Sequence, residues 1–373
     1  MPKRLKNQLL PRVAAAPART GSVQTAKKQL VQHSPSCHVQ SARAPVLVAG
    51  GAGYIGSLLA ERLLLEGYGV RVLDNLLYGE ESLQTFTNHP GFELIVGDCR
   101  NTQDVVRAMH GIKAVIHLAA IVGDGACDHD YRLAVTTNYV GTRTVAEVAK
   151  ACGVTRFLFA SSCSVYGRSD RELDEEAAVL PISLYARTKA ASERHLLRSQ
   201  GANFHPSILR FATAFGIGYR RRFDLVVNAL TAKSQKHETI TIYNAHRWRP
   251  FLHVRDLVEA VVRVMKAPVR LMSGEIFNVG DARLNHTFAE LASTIQGVFP
   301  ELRIEYVDNS DRRDYRIKCD KLLTRTGFQA CYSLRDGVEE IKRALDKGEV
   351  ADYADVRYHN ERCLKAGNAV ARR

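Results

Sequence analysis

The sequence predicts an α/β fold in which a doubly wound parallel sheet is followed by a smaller, mixed α/β lobe. From Pro45 to about residue 212, short runs rich in β-branched and aromatic residues alternate with longer stretches of helical apolar spacing, the pattern of repeated β-α-β units. After residue 212 this alternation loosens into short strands and helices. A doubly wound sheet binds its ligand in the crevice at the carboxyl ends of its strands.

Six strands and four main helices are predicted in the first part of the chain. The strands are Val46–Ala49, Val70–Leu73, Phe92–Val96, Ala114–Leu118, Phe157–Ala160 and Ser207–Phe211. The helices, which carry apolar residues at i, i+3 and i+4, are Tyr54–Glu66, Thr102–Met109, Tyr131–Cys152 and Tyr185–Ser199. The sheet is therefore expected to have six strands.

Three regions are expected along the chain. Residues 1–44 form a basic leader with eight Lys or Arg and no Asp or Glu, and its polar composition predicts disorder. An acid-free leader is also typical of an organelle transit peptide, so import stays open. Residues 45–212 form the sheet domain and residues 213–365 the second lobe, of which about 251–280 is expected to pack back onto the sheet domain.

Composition excludes several classes of protein. The formal net charge is +13, but the leader takes eight of the 52 Lys and Arg, which leaves 44 against 39 Asp and Glu and favours anionic small ligands over nucleic acid. The longest apolar stretches are strand-sized, far short of the roughly 20 residues that span a membrane. The eight cysteines stand singly, without a CxxC pair or zinc spacing, which predicts reduced thiols, no metal site and a cytoplasmic location.

The first predicted strand runs directly into a glycine-rich loop that opens a helix. Gly50, Gly53 and Gly56 allow a tight turn and a close approach of the backbone to a pyrophosphate, whose charge then lies at the helix N-terminus. Asp74 ends the second strand, where a carboxylate binds the adenosine ribose hydroxyls and repels a 2′-phosphate. The pattern thus predicts a site that prefers NAD to NADP. Asp98 is expected near the adenine, with a solvent-facing loop carboxylate as the alternative.

A serine, a tyrosine and a lysine form the predicted catalytic group. Tyr185 and Lys189 are four residues apart, which places both side chains on one face of a helix. A phenol is a poor base at neutral pH unless a cation favours its phenolate, and Lys189 is a suitable cation. Ser162 follows the fifth strand, where its hydroxyl can orient the reacting oxygen while Tyr185 moves the proton.

These residues resemble the extended short-chain dehydrogenase/reductase family, particularly its NAD-dependent nucleotide-sugar epimerase branch, over residues 46 to about 345. Residues 117–120 (HLAA) and 137–142 (TNYVGT) are similar to family segments beside the nicotinamide. The alternative for His117 is a packed strand-end histidine, and for Asn138 a structural role. The resemblance implies a Rossmann-like domain, a nucleotide-sugar substrate and a homodimer. The implied cofactor contacts are Gly50, Gly53, Tyr54, Ile55, Gly56, Asp74, Asn75, Asp98, Cys99, Leu118, Ala119, Ala120, Asn138, Tyr185 and Lys189.

The second lobe contributes further matches. Residues 248–256 (WRPFLHVRD) resemble the family segment R-x-F-x-H-V-x-D, whose arginine, here Arg249, holds the substrate diphosphate. The arginines of residues 312–316 lie where the family has a second phosphate arginine, with a solvated basic turn as the alternative. The implied substrate contacts are Ser162, Ser164, Thr213, Arg249 and Arg313.

The reaction expected from the resemblance is 4-epimerisation of the sugar. Cys163 and Ser164 stand where family dehydratases carry Asp-Glu and decarboxylases a glutamate, which disfavours both reactions. Tyr185 as phenolate is expected to take the 4-hydroxyl proton while a hydride passes to NAD and then returns on the other face. Thr213 replaces an asparagine of the epimerases, and residues 243–246 depart from the nucleotide loop, so the sugar and the base stay open. The alternatives are a one-way 4-oxidase or 4-ketoreductase, and a non-catalytic RNA-binding or scaffold relative.

Overall fold

The structure is a computed structural model that describes residues 43–371, so the predicted leader, residues 1–44, lies outside it apart from its last two residues. The strands are β1 Arg43–Ala49, β2 Tyr68–Asp74, β3 Phe92–Val96, β4 Ala114–His117, β5 Arg156–Ser162, β6 Arg168–Leu173, β7 His205–Phe211, β8 Thr213–Phe215, β9 Ile240–Tyr243, β10 Trp248–His253, β11 Ile276–Val279, β12 Asn285–Thr287, β13 Ile304–Val307 and β14 Asp314–Ile317. The α-helices are α1 Tyr54–Leu65, α2 Thr102–Met109, α3 Asp124–His129, α4 Tyr131–Val135, α5 Thr142–Ala151, α6 Leu184–Ser199, α7 Val226–Gln235, α8 Val254–Lys266, α9 Val269–Met272, α10 Phe288–Gln296, α11 Asp320–Thr326, α12 Leu334–Asp346 and α13 Asn360–Ala371.

A parallel sheet with the strand order β11-β7-β5-β4-β1-β2-β3 forms the centre of the molecule. The order reverses between β1 and β4, and such a switch point opens a crevice at the carboxyl ends of the strands. The predicted fold class is confirmed. The expected number of six strands is wrong, because β11 pairs with β7 and adds a seventh strand from far along the chain.

Helices cover both faces of this sheet, which explains why its central strands are largely apolar. In β1, Val46 and Val48 belong to one hydrophobic cluster, which includes residues of α1 and α8. Leu47 points to the opposite face, into a cluster that includes residues of α2, α5 and α6. The alternation of side chains along each strand therefore divides the core into two layers around the sheet.

One predicted helix has an irregular middle. The predicted helix Tyr131–Cys152 consists of α4 and α5 joined by a π-helical segment, Thr136–Gly141. Within that segment the Asn138 side chain accepts from the backbone N–H of Ile121 (2.7 Å) and donates to its carbonyl (3.0 Å). The wider turn thus accompanies a fixed contact with the loop after β4, and π-helical turns are frequent at functional sites.

The second lobe packs around its own hydrophobic cluster. Phe251 of β10 is fully buried there against residues of α7, α10 and α12. Strand β10 pairs with β8 and β12, and the C-terminal helix α13 returns to pack on α3. Among the described residues, none of the helices has the length and apolar character needed to cross a membrane.

Candidate active site

A cavity of about 590 Å³ lies at the carboxyl ends of the central strands and extends to the second lobe. Every site residue predicted from the sequence lines it except Asp98 and Asn138. The glycine-rich loop after β1 therefore shares one cavity with two arginines from distant parts of the chain, Arg249 of β10 and Arg313. The predicted catalytic residues lie between them.

The glycine-rich loop has the geometry that a diphosphate requires. Gly50 has a φ of +85°, and a Cβ at Gly56 would overlap the Gly50 carbonyl oxygen. The first hydrogen bond of α1 runs from the Ser57 N–H to the Gly53 carbonyl (3.0 Å), so the N–H groups of Tyr54, Ile55 and Gly56 have no partner within the helix. Free amides at a helix N-terminus fit the charge of a dinucleotide's diphosphate.

Asp74 lies beside this loop at the end of β2. Its carboxylate accepts from the backbone N–H of Ala52 in the loop (3.0 Å) and of Leu76 (2.9 Å). Burial raises the pKa of Asp74, while these two amides and the charge of Arg220 oppose the shift. The carboxylate therefore holds the glycine-rich loop as well as facing the cavity at the position predicted for ribose recognition.

Three residues considered in the sequence analysis do not line the cavity: Asp98, Asn138 and His117. Asp98 is bound by the Arg100 guanidinium (2.5 Å), and that hydrogen bonding lowers the pKa of Asp98. Asn138 is fully buried and holds the backbone of Ile121, which itself lines the cavity. His117 is also fully buried, its Nε2 lies 3.0 Å from the Thr142 hydroxyl, and burial lowers its pKa to about 3. A neutral, packed histidine is thus the interpretation that fits His117.

Ser162 and its neighbour form a pair of hydroxyls at the end of β5. The Ser164 hydroxyl donates to the Ser162 hydroxyl (2.9 Å), and the Ser164 N–H donates to the same oxygen (3.2 Å). Burial raises the pKa of Tyr185 above its ordinary value of 10.0, and a hydrogen bond with Ser162 opposes that shift. Ser162 and Tyr185 are therefore close enough to act on the same oxygen atom of a substrate.

Lys189 lies one turn after Tyr185 on α6 and is almost fully buried. Its Nζ donates to the Ala160 carbonyl (2.7 Å) and lies 5.8 Å from the centre of the Tyr185 ring. Burial lowers the pKa of Lys189 to about 8, while the negative charge of the Glu193 carboxylate opposes the shift. The spacing of the two residues in the sequence thus brings a buried amine beside the phenol.

A buried ion pair behind these residues was missed by the sequence analysis. Arg210 of β7 donates to both carboxylate oxygens of Glu193, from Nη2 at 2.8 Å and from Nε at 3.1 Å. The Ser161 hydroxyl also donates to Glu193, and Arg210 donates to the Tyr166 hydroxyl (2.9 Å). A charged residue inside the apolar strand β7 was the available signal, because such a residue needs a buried partner.

The side of the cavity predicted to bind the substrate contains arginines that already have carboxylate partners. Arg249 Nη2 lies 3.3 Å from Asp311, and Arg313 bridges Asp311 (2.7 Å) and Asp124 (2.6 Å). Of the three arginines in residues 312–316, only Arg313 lines the cavity. These pairs keep the guanidinium groups in place, and an anionic ligand has to compete with the carboxylates for them.

A further set of cavity residues has no motif in the sequence. Arg220 and Arg222 follow β8, and Asn360 and Glu361 begin α13. Arg222 pairs with Asp224 (2.6 Å), and Arg220 donates to the Asn360 side chain (2.7 Å).

Among the described residues, no group of three His, Cys, Asp or Glu side chains is arranged to hold a metal ion.

The sequence of the chain matches the model of a known family. The description of that family is "NAD dependent epimerase/dehydratase family", and the match covers residues 46–280. The chain belongs to this family. It is therefore an enzyme with NAD as its cofactor, and the resemblance and the cofactor predicted from the sequence are confirmed.

Relatives within the family carry out different reactions. The chain is 31% identical to the UDP-glucose 4-epimerase of Rhizobium meliloti over 68% of this chain and 81% of that protein. It is also 31% identical to UDP-glucuronic acid decarboxylase 4 of Arabidopsis thaliana, over 79% of this chain and 66% of that protein. The structure of the Thermus thermophilus UDP-glucose 4-epimerase in complex with NAD superposes with a TM-score of 0.70 at 25% identity, over 80% of this chain and 99% of that one. Family membership alone thus leaves several nucleotide-sugar reactions open.

Proposed function

We propose that this enzyme is a nucleotide-sugar 4-epimerase that oxidises the sugar transiently at C-4. Ser162, Tyr185 and Lys189 are the catalytic residues. Asp74 and the glycine-rich loop bind the cofactor, and Arg249 and Arg313 bind the substrate diphosphate. Ser164 and Thr213 line the cavity where the sugar is expected to lie. The homodimer and the cytoplasmic location expected from the sequence stay predictions of the same proposal.

In the proposed reaction, Ser162 donates a hydrogen bond to the 4-oxygen of the sugar and Tyr185 removes its proton. When bound, NAD supplies the acceptor and donor of the C-4 hydride and a positive ring that favours the Tyr185 phenolate. Lys189 adds a second positive charge near the ring of Tyr185. The 4-keto sugar then turns within the cavity, and Tyr185 returns the proton to the oxygen of the other epimer.

One observation carries the choice of 4-epimerisation over elimination or decarboxylation. The carboxylates lining the cavity in the described part of the chain are Asp74, Asp124, Asp224 and Glu361. Each is already held, by backbone amides, by Arg313, by Arg222 or by Lys365 (2.5 Å). The neighbour of Ser162 that lines the cavity is the hydroxyl of Ser164. The cavity therefore offers Tyr185 for proton transfer at C-4, and the position two residues after Ser162 supplies a hydroxyl instead of a carboxylate for a second acid–base step.

The experiment is an assay of the purified protein with UDP-, dTDP-, GDP-, ADP- and CDP-sugars, without added NAD. Products are identified by NMR, and NADH is followed by absorbance. We expect a C-4 epimer of one nucleotide sugar and no accumulation of NADH, because the hydride returns in each turnover. A 4-keto-6-deoxy sugar, or a pentose formed with release of CO₂, would overturn the proposal in favour of a dehydratase or a decarboxylase. Steady formation of NADH in a parallel assay with added NAD would overturn it in favour of a one-way 4-oxidase.

A further inference from the structure

Arg220 is a buried cation in the cavity whose Nε has no hydrogen-bond partner among the described residues. The residue is 8% exposed, its guanidinium carbon lies 4.1 Å from the centre of the Tyr78 ring, and its Nη2 donates to Asn360 (2.7 Å). Burial and the neighbouring charge of Arg222 lower the pKa of Arg220 to about 10. A buried charge without a counter-ion is costly, so these surroundings suit an arginine that receives an anion from a ligand.

The other arginines that line the cavity differ from Arg220 in one respect. Arg222 pairs with Asp224 at 2.6 Å, and Arg249 and Arg313 both pair with Asp311. For Arg220, no carboxylate of the described residues lies within ion-pair distance. Among the arginines that line the cavity in the described residues, Arg220 is thus the one that a ligand can bind without displacing an aspartate.

The position of Arg220 points to the cofactor rather than to the nucleotide sugar. Residues 216–220 pack on the start of α1, where the Tyr54 hydroxyl donates to the Gly216 carbonyl (2.8 Å). Tyr78, under the guanidinium, belongs to the loop that follows Asp74, and the charge of Arg220 opposes the rise in the pKa of Asp74 that burial causes. Both neighbours belong to the dinucleotide side of the cavity. Its anionic ligand is therefore the diphosphate of the dinucleotide.

We propose that Arg220 binds the diphosphate of NAD opposite the glycine-rich loop, and that Asn360 of α13 positions it. Asn360 joins three segments, because its side chain accepts from Arg220 and donates to the Val122 carbonyl (3.2 Å), and its N–H donates to Asp224 (3.0 Å). The C-terminal helix thereby takes part in holding the cofactor. This inference rests on NAD binding in the cavity, and it does not require the 4-epimerase reaction.

The test is calorimetry of the full chain after bound nucleotide has been removed, with NAD, ADP-ribose, adenosine and UDP as ligands. We expect Arg220→Met to weaken NAD and ADP-ribose roughly 10- to 100-fold, the usual effect of losing a charge-assisted hydrogen bond, and to leave adenosine and UDP unchanged. Arg221→Met is the matched control, because Arg221 does not line the cavity and pairs with Glu349 (3.3 Å). Arg220→Lys should retain part of the affinity for NAD.

Three results would overturn the assignment. Equal affinity of the Arg220→Met and Arg221→Met proteins for NAD would remove Arg220 from the site. Weaker binding of UDP but not of ADP-ribose would show that Arg220 contacts the substrate instead of the cofactor. A loss for all four ligands, together with a lower midpoint of thermal unfolding without ligand, would make it structural, whereas removal of an unpaired buried charge should leave that midpoint unchanged or raise it.

A double variant tests the positioning role of Asn360. We expect Asn360→Ala to weaken NAD less than Arg220→Met does, and to have no further effect when Arg220 is already methionine. Additive losses in the double variant would show that Asn360 does not act through Arg220. All of these experiments measure binding, so their results do not depend on which reaction the enzyme catalyses.

Discussion

The side of the cavity proposed for the cofactor and the side proposed for the substrate are built by different means. On the cofactor side, the loop around Gly50 and Gly56 offers backbone amides to the diphosphate. The substrate side consists of long charged side chains held by aspartates, as in the bridge of Arg313 between Asp124 and Asp311. Tyr185 lies between the two sides and has to serve ligands bound to both.

This difference determines how each side responds to mutation. A backbone site depends on conformations and close approaches that only glycine permits, so a single methyl group disrupts it. A site of paired charges already has its guanidinium groups in position, and a ligand diphosphate replaces one carboxylate partner with another anion. Changes there are expected to tune the affinity over a small range.

The largest expected effect is at the residue shared by both sides. Tyr185→Phe should lower kcat about 1,000-fold, because the ring still packs but the proton carrier is absent. The dissociation constants of NAD and of UDP, measured by calorimetry, should stay unchanged. Tyr306→Phe, at an exposed tyrosine of β13, is the control. Activity near that of the control would remove Tyr185 from the reaction.

A methyl group added to the glycine-rich loop should weaken the binding of NAD more than the binding of UDP. Gly56→Ala forces α1 away from the Gly50 carbonyl, so we expect a loss of about 1–3 kcal/mol in the free energy of unfolding and weaker binding of NAD, with the affinity for UDP less affected. Gly201→Ala is the control, since a Cβ there has open space. Denaturant unfolding and calorimetry give the two quantities. An unaltered affinity for NAD would contradict a diphosphate site at this loop.

The pH dependence of stability isolates the buried amine between the two sides. Burial lowers the pKa of Lys189 from 10.5 to about 8, so between these values the unfolded chain binds more protons than the folded chain. The free energy of unfolding of the wild type, relative to Lys189→Met, should therefore rise from about pH 8 to pH 10.5 in the protein without cofactor. Lys233→Met, at an exposed position, is the control. If the difference in the free energy of unfolding between the wild type and Lys189→Met did not change with pH, the pKa of Lys189 would not be lowered in the folded protein.

The smallest expected effect is on the substrate side. Asp124→Asn removes a carboxylate that competes with the ligand for Arg313, so the dissociation constant of UDP should fall by about two- to five-fold, as expected for a partly exposed ion pair. Asp128→Asn, on the same helix α3 but outside the cavity lining, is the matched control. A higher dissociation constant after Asp124→Asn would indicate that Asp124 binds the ligand instead of competing with it.

Local patterns in the sequence were sufficient for the parts of the site that lie on one element. The spacing of Tyr185 and Lys189 depends only on the geometry of one helix, and the glycine-rich loop depends on one strand, one turn and one helix. Both could be recognised without knowing where the rest of the chain goes. The central sheet was recognised for the same reason, from the alternation of strands and helices.

Features that depend on distant segments were not recognisable in this way. Strand β11 follows a long excursion through the second lobe, and no local pattern assigns it to the edge of the central sheet. Arg220 meets Asn360 across 140 residues, and the Arg210–Glu193 pair joins a strand to a helix. For Arg220 the sequence shows only a basic run of three arginines, whose individual directions are set by the packing of residues 216–224.

The most direct test of the central claim follows the hydrogen at C-4 of the sugar. The enzyme is incubated in ordinary water, without added NAD, with its nucleotide sugar deuterated at C-4, and the products are examined by NMR and mass spectrometry. Transient oxidation and return of the same hydride predict a C-4 epimer that keeps its deuterium at C-4 and takes up no solvent hydrogen at C-5. Loss of the deuterium into free NADH, or uptake of a solvent hydrogen at C-5, would contradict the account.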